Sequence, residues 1–318
     1  MANFLKSLFG GKAESPETEK EKNNKKNFEL FKFDGMRAQR MGQMDYAIKC
    51  YEKALAIDRE FETISYLSQV HLQLGHLEES MQLLKEMAEL DPKLIETFLS
   101  LSAVCFMLED YPTMKEYAAH AIAIDAENPM GYFYQAKAEH GLKDEFNAIA
   151  HLTQAIQKKE DYAEAYLMRA EILTDMQQYT EAIHDTETIL SNMPEDENAL
   201  LLHGKLKNLT GDSESAYKDY TAVIELNPFN EQAQLQLGGL FIETKQLEKA
   251  IALLDEAIEN NPNFAQAYLM RGQAKLQKGD KNGSLEDMKK SLELNPDAET
   301  DISGQFNNFK DLYANIPL

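Results

Sequence analysis

The sequence predicts an all-α protein, a solenoid of antiparallel helix pairs. Three observations carry that expectation. The chain repeats itself every 34 residues, and two places in each period are held by small residues. The composition is poor in turn formers and lacks Trp, with nine Pro and fifteen Gly among 318 residues. A hydrophobic share of 43% is enough to build a core, which argues against wholesale disorder.

The period is clearest in the second half. Residues 231–264 align with 265–298, and stepping back by 34 starts further copies at 197, 163, 129, 95 and 61 without insertion. A first copy, one residue short, starts at 28. Eight repeats result: 28–60, 61–94, 95–128, 129–162, 163–196, 197–230, 231–264 and 265–298. Self-similarity at this spacing is the mark of a repeat array, in which each unit buries its apolar face against its neighbours.

Each repeat reads as a helical hairpin. Position 8 is small throughout (Gly35, Ser68, Ser102, Ala136, Ala170, Gly204, Gly238, Gly272), and position 20 is small in seven copies, from Ala47 to Ser284. Small residues on facing helices let the backbones approach closely. Large side chains at position 4 (Phe31, Ile64, Phe98) and position 24 (Tyr51, Leu84, Leu152, Tyr220, Leu254, Met288) fill the space around that contact. Gly42, Gly75, Gly211 and Gly279 at position 15 mark the turn between helices. Pro92, Pro194, Pro228, Pro262 and Pro296 at position 32 end the second helix. Arg59, Ala126 and Glu160 replace proline in the other three copies, where the turn is expected to be less firmly set. Repeat three carries Met114 at position 20 and Ala118 at position 24, which reads as a swap of volume across one helix face.

This pattern resembles the tetratricopeptide repeat family. The resemblance implies a right-handed α-α superhelix whose first helices line a groove for segments of other proteins, with positions 2, 5, 9 and 12 towards it. Position 5 is apolar in six consecutive copies: Leu99, Phe133, Leu167, Leu201, Leu235 and Leu269. Position 9 adds Lys137, Glu171, Lys205 and Gln273, and position 12 adds His140 and Asn208. The expected groove is thus an apolar rail with a few charges beside it, suited to an extended segment or short helix. Family members that hold chaperone carboxylates need a particular set of Lys, Asn and Arg. Repeats one to three offer Lys32, Met36, Tyr66, Glu96 and Ser100 in those places, so that specialisation is not expected.

Charge narrows the partners. Lys and Arg number 32 against 54 Asp and Glu, a net charge of −22. Six Lys against four Glu over residues 1–27 give that segment +2 and leave −24 for the rest. Nucleic acid is therefore not an expected partner, while proteins or peptides with basic surroundings are.

Nothing in the sequence calls for catalysis, a cofactor or a metal. The seven His show no zinc-protease spacing, and the glycine fingerprints for nucleotides are missing. Asp185, Asp219 and Asp287 share position 23, which reads as a recurring polar helix position rather than a carboxylate site. His71 and Cys105 share position 11 with Leu173 and Phe241, so packing accounts for them better than a nucleophile–base pair. Two cysteines, Cys50 and Cys105, make no disulfide framework.

Outside the repeats, residues 1–27 read as a flexible tail. Its start, with Phe4, Leu5, Leu8 and Phe9, can form a short amphipathic helix for weak membrane or partner contact. That start is no secretory signal, and the expected location is cytoplasmic. Residues 299–318 read as a capping helix and tail, with Ile302, Phe306, Phe309, Leu312 and Tyr313 at helical spacing.

Overall fold

A computed structural model describes residues 16–296. These residues form sixteen helices and no strand, and the chain divides into two compact units with the boundary between Glu160 and Asp161. The first unit holds α1 (Pro16–Arg40), α2 (Met44–Leu55), α3 (Phe61–Gln73), α4 (Leu77–Leu90), α5 (Ile95–Met107), α6 (Tyr111–Ile124), α7 (Pro129–Gly141) and α8 (Glu145–Lys158). The second holds α9 (Ala163–Asp175), α10 (Tyr179–Asn192), α11 (Glu197–Leu209), α12 (Ser213–Leu226), α13 (Glu231–Glu243), α14 (Leu247–Asn260), α15 (Ala265–Lys278) and α16 (Lys281–Leu294). Odd-numbered helices are the first helices of the repeats and even-numbered ones the second. Within each unit a helix packs against the next, and most successive first helices touch as well.

The close approach inside each hairpin is built as the small residues require. Positions 8, 20 and 24 are buried in all eight repeats. In repeat two the Ser68 and Ser80 hydroxyls lie 3.0 Å apart across the helix pair. A Cβ added to Gly35 would come within 2.6 Å of the Tyr51 ring, and one at Gly204 within 2.7 Å of the Tyr220 ring. Glycine is thus what lets a tyrosine fit at position 24. In repeat three Met114 and Ala118 are both fully buried, so the larger side chain sits on the other position of the same face.

The turn between helices is more uniform than the glycines suggest. All eight residues at position 15 are left-handed: the four glycines, and also Glu109, Lys143, Gln177 and Lys245 at φ of 56° to 64°. The hairpin geometry imposes the conformation whatever the residue. The exits from the second helices are held by more than proline. Asp91, Asp125, Asn227 and Asn261 at position 31 each accept a hydrogen bond from the backbone N–H two residues on, at 2.9–3.2 Å. Repeat three therefore keeps a well-defined turn without proline, because Asp125 supplies it.

One expectation is overturned. Residues 16–27 read as part of a flexible tail in the sequence, yet they are the first three turns of α1, with residues 19–27 exposed. Pro16 suits the first helical position, and Glu21 stands four residues before Lys25, a spacing that supports a solvated helix. The segment has little to bury but good helix formers, and its continuation into Phe28 anchors it. The expectations for Phe4, Leu5, Leu8 and Phe9, and for the helix from Ile302 to Tyr313, lie outside the described residues.

Candidate functional site

The residues at position 5 are less open than an apolar rail would be. In the first unit Leu99 is buried and Phe133 half-buried. In the second, Leu201 is only 7% exposed and belongs to a core with Tyr220 and Leu237, while Leu167, Leu235 and Leu269 are half-buried. Neighbouring first helices lie close enough to consume much of each side chain. Position 5 therefore contributes mainly to packing between hairpins, with Leu201 wholly so.

The polar residues beside them differ in exposure and in their contacts. Lys137 is half-buried with its Nζ 3.5 Å from the centre of the Phe106 ring and 5.5 Å from that of Phe133. Burial lowers its pKa, and the two ring faces compensate part of that loss. His140 Nδ1 lies 2.7 Å from Glu145 Oε2, and Asn208 donates to Glu243 at 2.8 Å. Glu171 and Lys205 are exposed, and Gln273 is half-buried.

The periodic carboxylates at position 23 are partners of position 7, with Asp185 and Asp287 buried and Asp219 half-buried. Asp185 accepts from Arg169 at 2.8 and 2.6 Å, Asp219 lies 2.8 Å from His203 Nδ1, and Asp287 accepts from Arg271 at 2.9 and 2.5 Å. Each pair joins the two helices of one hairpin. Cys105 is buried, and burial pushes its thiol up to about 11, so it stays protonated near neutral pH and is a poor nucleophile. Among the described residues no three His, Cys, Asp or Glu converge to hold a metal ion, and no helix is long and apolar enough to cross a membrane.

A place where two first helices leave room was missed from sequence. A cavity of about 200 Å³ lies between repeats two and three, inside the first unit. Ser65 and Gln69 of α3 and Glu96, Thr97 and Ser100 of α5 form its polar wall; Leu72, Leu84, Met87 and Leu94 form the apolar part. Gln69 and Glu96 are exposed, so solvent reaches it. Thr97 is 2% exposed, and its hydroxyl oxygen has no hydrogen-bond partner. The signal was legible: Ser65 occupies the place that leucine or phenylalanine fills in the six copies that follow.

The neighbouring lysine is already spent. Lys32, at position 5 of repeat one, is 8% exposed with its Nζ 2.8 Å from Glu60 and also bonded to Glu62. Burial pulls its pKa down, but the hydrogen bonds to the two glutamates more than offset this and raise it to about 12.

This geometry defines a class: an array of helical hairpins with a 34-residue period and small residues at each crossing. A family model described as a tetratricopeptide repeat matches residues 209–276, and a second of the same description matches 37–61 and 265–298. A tetratricopeptide repeat protein from Parabacteroides merdae superposes with a TM-score of 0.59 at 18% identity, over 74% of this chain and 93% of that one. A chain of the APC/C Cut9–Hcn1 hetero-tetramer gives 0.57 at 14%, over 80% and 50%. PilF of Pseudomonas aeruginosa gives 0.54 at 14%, over 67% and 97%. At such identities the likeness is one of fold. No curated protein matches the sequence. Tetratricopeptide repeats are thus matched at residues 37–61 and 209–298, and the same 34-residue register of helical hairpins runs through the copies between them.

Proposed function

We propose that this protein is a non-catalytic scaffold or adaptor that holds segments of partner proteins against the faces of its first helices. One observation carries the reading. At repeats two and three the groove positions 5 and 9 of one hairpin and 2 and 6 of the next surround a solvent-reached cavity instead of packing shut. A purely structural array gains nothing from such a gap, since unfilled volume between hairpins costs stability. The acidic body favours partners with basic surroundings by long-range attraction. Lys205, exposed on α11, adds a local charge with which a bound segment can pair.

Site-specific photocrosslinking tests this. A crosslinking residue is placed at Gln69, Glu171 or Lys205 on first helices, or at the exposed Tyr46, Phe146 or Tyr217 on second helices. Crosslinks to the same partner segments from the first set and not the second are expected. Equal yields from both sets would show that the first helices are not the binding face.

A further inference from the structure

We propose that the cavity between repeats two and three is an anchor pocket for a lysine or arginine side chain of a bound peptide. This rests on the scaffold reading and adds the chemistry of its ligand.

The pocket exists because of one residue. Position 5 carries a leucine or phenylalanine from repeat three onward, and these side chains are buried or half-buried between hairpins. Ser65 is too short to do the same, and the unfilled space is about 200 Å³, room for one long side chain. Its floor, Leu72, Leu84 and Met87, suits an aliphatic stem, as long cationic side chains lay their methylenes along apolar surface.

The polar groups select the head. Serine and threonine hydroxyls each offer lone pairs, and an ammonium or guanidinium group offers only donors. Ser65 and Ser100, half-buried, supply hydroxyls on one wall, and Glu96 supplies a carboxylate at the exposed edge. No Lys, Arg or His lines the cavity. Lys32, the cation of the preceding repeat, is held by Glu60 and Glu62. A carboxylate entering would lose its hydration beside Glu96 with no cationic side chain to pair with, and an apolar head would take water from Glu96 and the serine hydroxyls without replacing its hydrogen bonds. A cation meets acceptors, a charge partner and an apolar sleeve together.

The test uses the full chain with methyl-labelled Leu and Met, titrated with the N-acetyl methylamides of lysine, arginine, norleucine, glutamine and glutamate. The lysine and arginine probes should give saturable shifts of the Leu72, Leu84 and Met87 methyls, with affinity about ten-fold above norleucine and glutamate. Ser65→Leu should abolish those shifts while raising the melting temperature, because it fills the gap. Glu96→Gln, a near-isosteric change at an exposed position, should remove the preference for the cationic probes. Norleucine or glutamine binding as well as lysine, an absence of saturable shifts, or lysine binding unchanged in Ser65→Leu would each overturn the proposal. Crosslinks from Gln69 and Lys205 that persist in that event would leave the scaffold reading standing, so the two fail separately.

Discussion

The two units solve the same packing problem with different chemistry. Positions 7 and 23 face one another across each hairpin. In the second unit they hold Arg169 with Asp185, His203 with Asp219 and Arg271 with Asp287, interrupted only by Leu237 and Leu253 in repeat seven. In the first unit repeats two and three fill the slot with Leu67 and Leu83, then Leu101 and Tyr117. Repeat four moves the charge by one turn: Glu139, almost fully buried, bonds His151 at 2.6 Å and Lys115 at 3.1 Å. One backbone arrangement thus accepts either an oily pair or an ionic one. The ionic choice loses hydration and regains it only with good geometry, so its value lies in fixing which residues face each other more than in net stability.

Breaking one ionic pair should give the largest effect. Asp185→Ala leaves Arg169 with its side chain 16% exposed and its carboxylate partner gone, and should cost about 4 kcal/mol in urea denaturation. Replacing both residues by leucine, as repeats two and seven already do, should recover most of that loss. If the double variant stays as unstable as the single one, the slots of the two units are not equivalent.

The first unit has its own buried cation, Lys32, and there the expectation concerns alkali. Its pKa is raised from 10.5 to about 12 in the folded protein, so its ion pairs contribute fully below pH 10.5 and are lost as the pH climbs towards 12. The contribution at neutral pH is about 2 kcal/mol. Stability measured between pH 9 and pH 12 should fall in that window, and Lys32→Met should flatten the fall. A decline of the same size in the variant would place the alkaline sensitivity elsewhere.

How much of this could be read from the chain alone depends on the kind of residue. Small residues at positions 8 and 20 and large ones at 24 were legible because steric fit recurs with the period. The left-handed turn was legible at Gly42 but not at Glu109 or Lys143, since nothing in those side chains reports φ. The helical start at Pro16 was hidden because a polar composition suits a solvated helix as well as a tether. At position 5 the apolar type was visible but its burial was not, because packing between neighbouring first helices is a property of spacing in three dimensions. The cavity was legible in principle as the one serine set against a column of larger apolar residues, yet only the gap beside Thr97 gives that serine a meaning.

The smallest effect separates conformation from packing. Glu109 and Lys143 in the first unit and Gln177 and Lys245 in the second share a left-handed backbone that side-chain-bearing residues adopt at a cost of about 1–2 kcal/mol. Glycine removes that cost but loses more chain entropy on folding, so Lys143→Gly and Gln177→Gly should each stabilise by a net ~0.5–1 kcal/mol. Gly211→Ala should destabilise by about 1 kcal/mol, although a Cβ there meets nothing within 4 Å, because the strain is in φ and not in contact. Equal gains in the two units, read from melting or denaturant midpoints, are expected, since the turn is common to all eight hairpins. Unequal gains would mean that the side chain at position 15 is packed differently in the two units, and that their difference extends beyond the ionic slot to the turns.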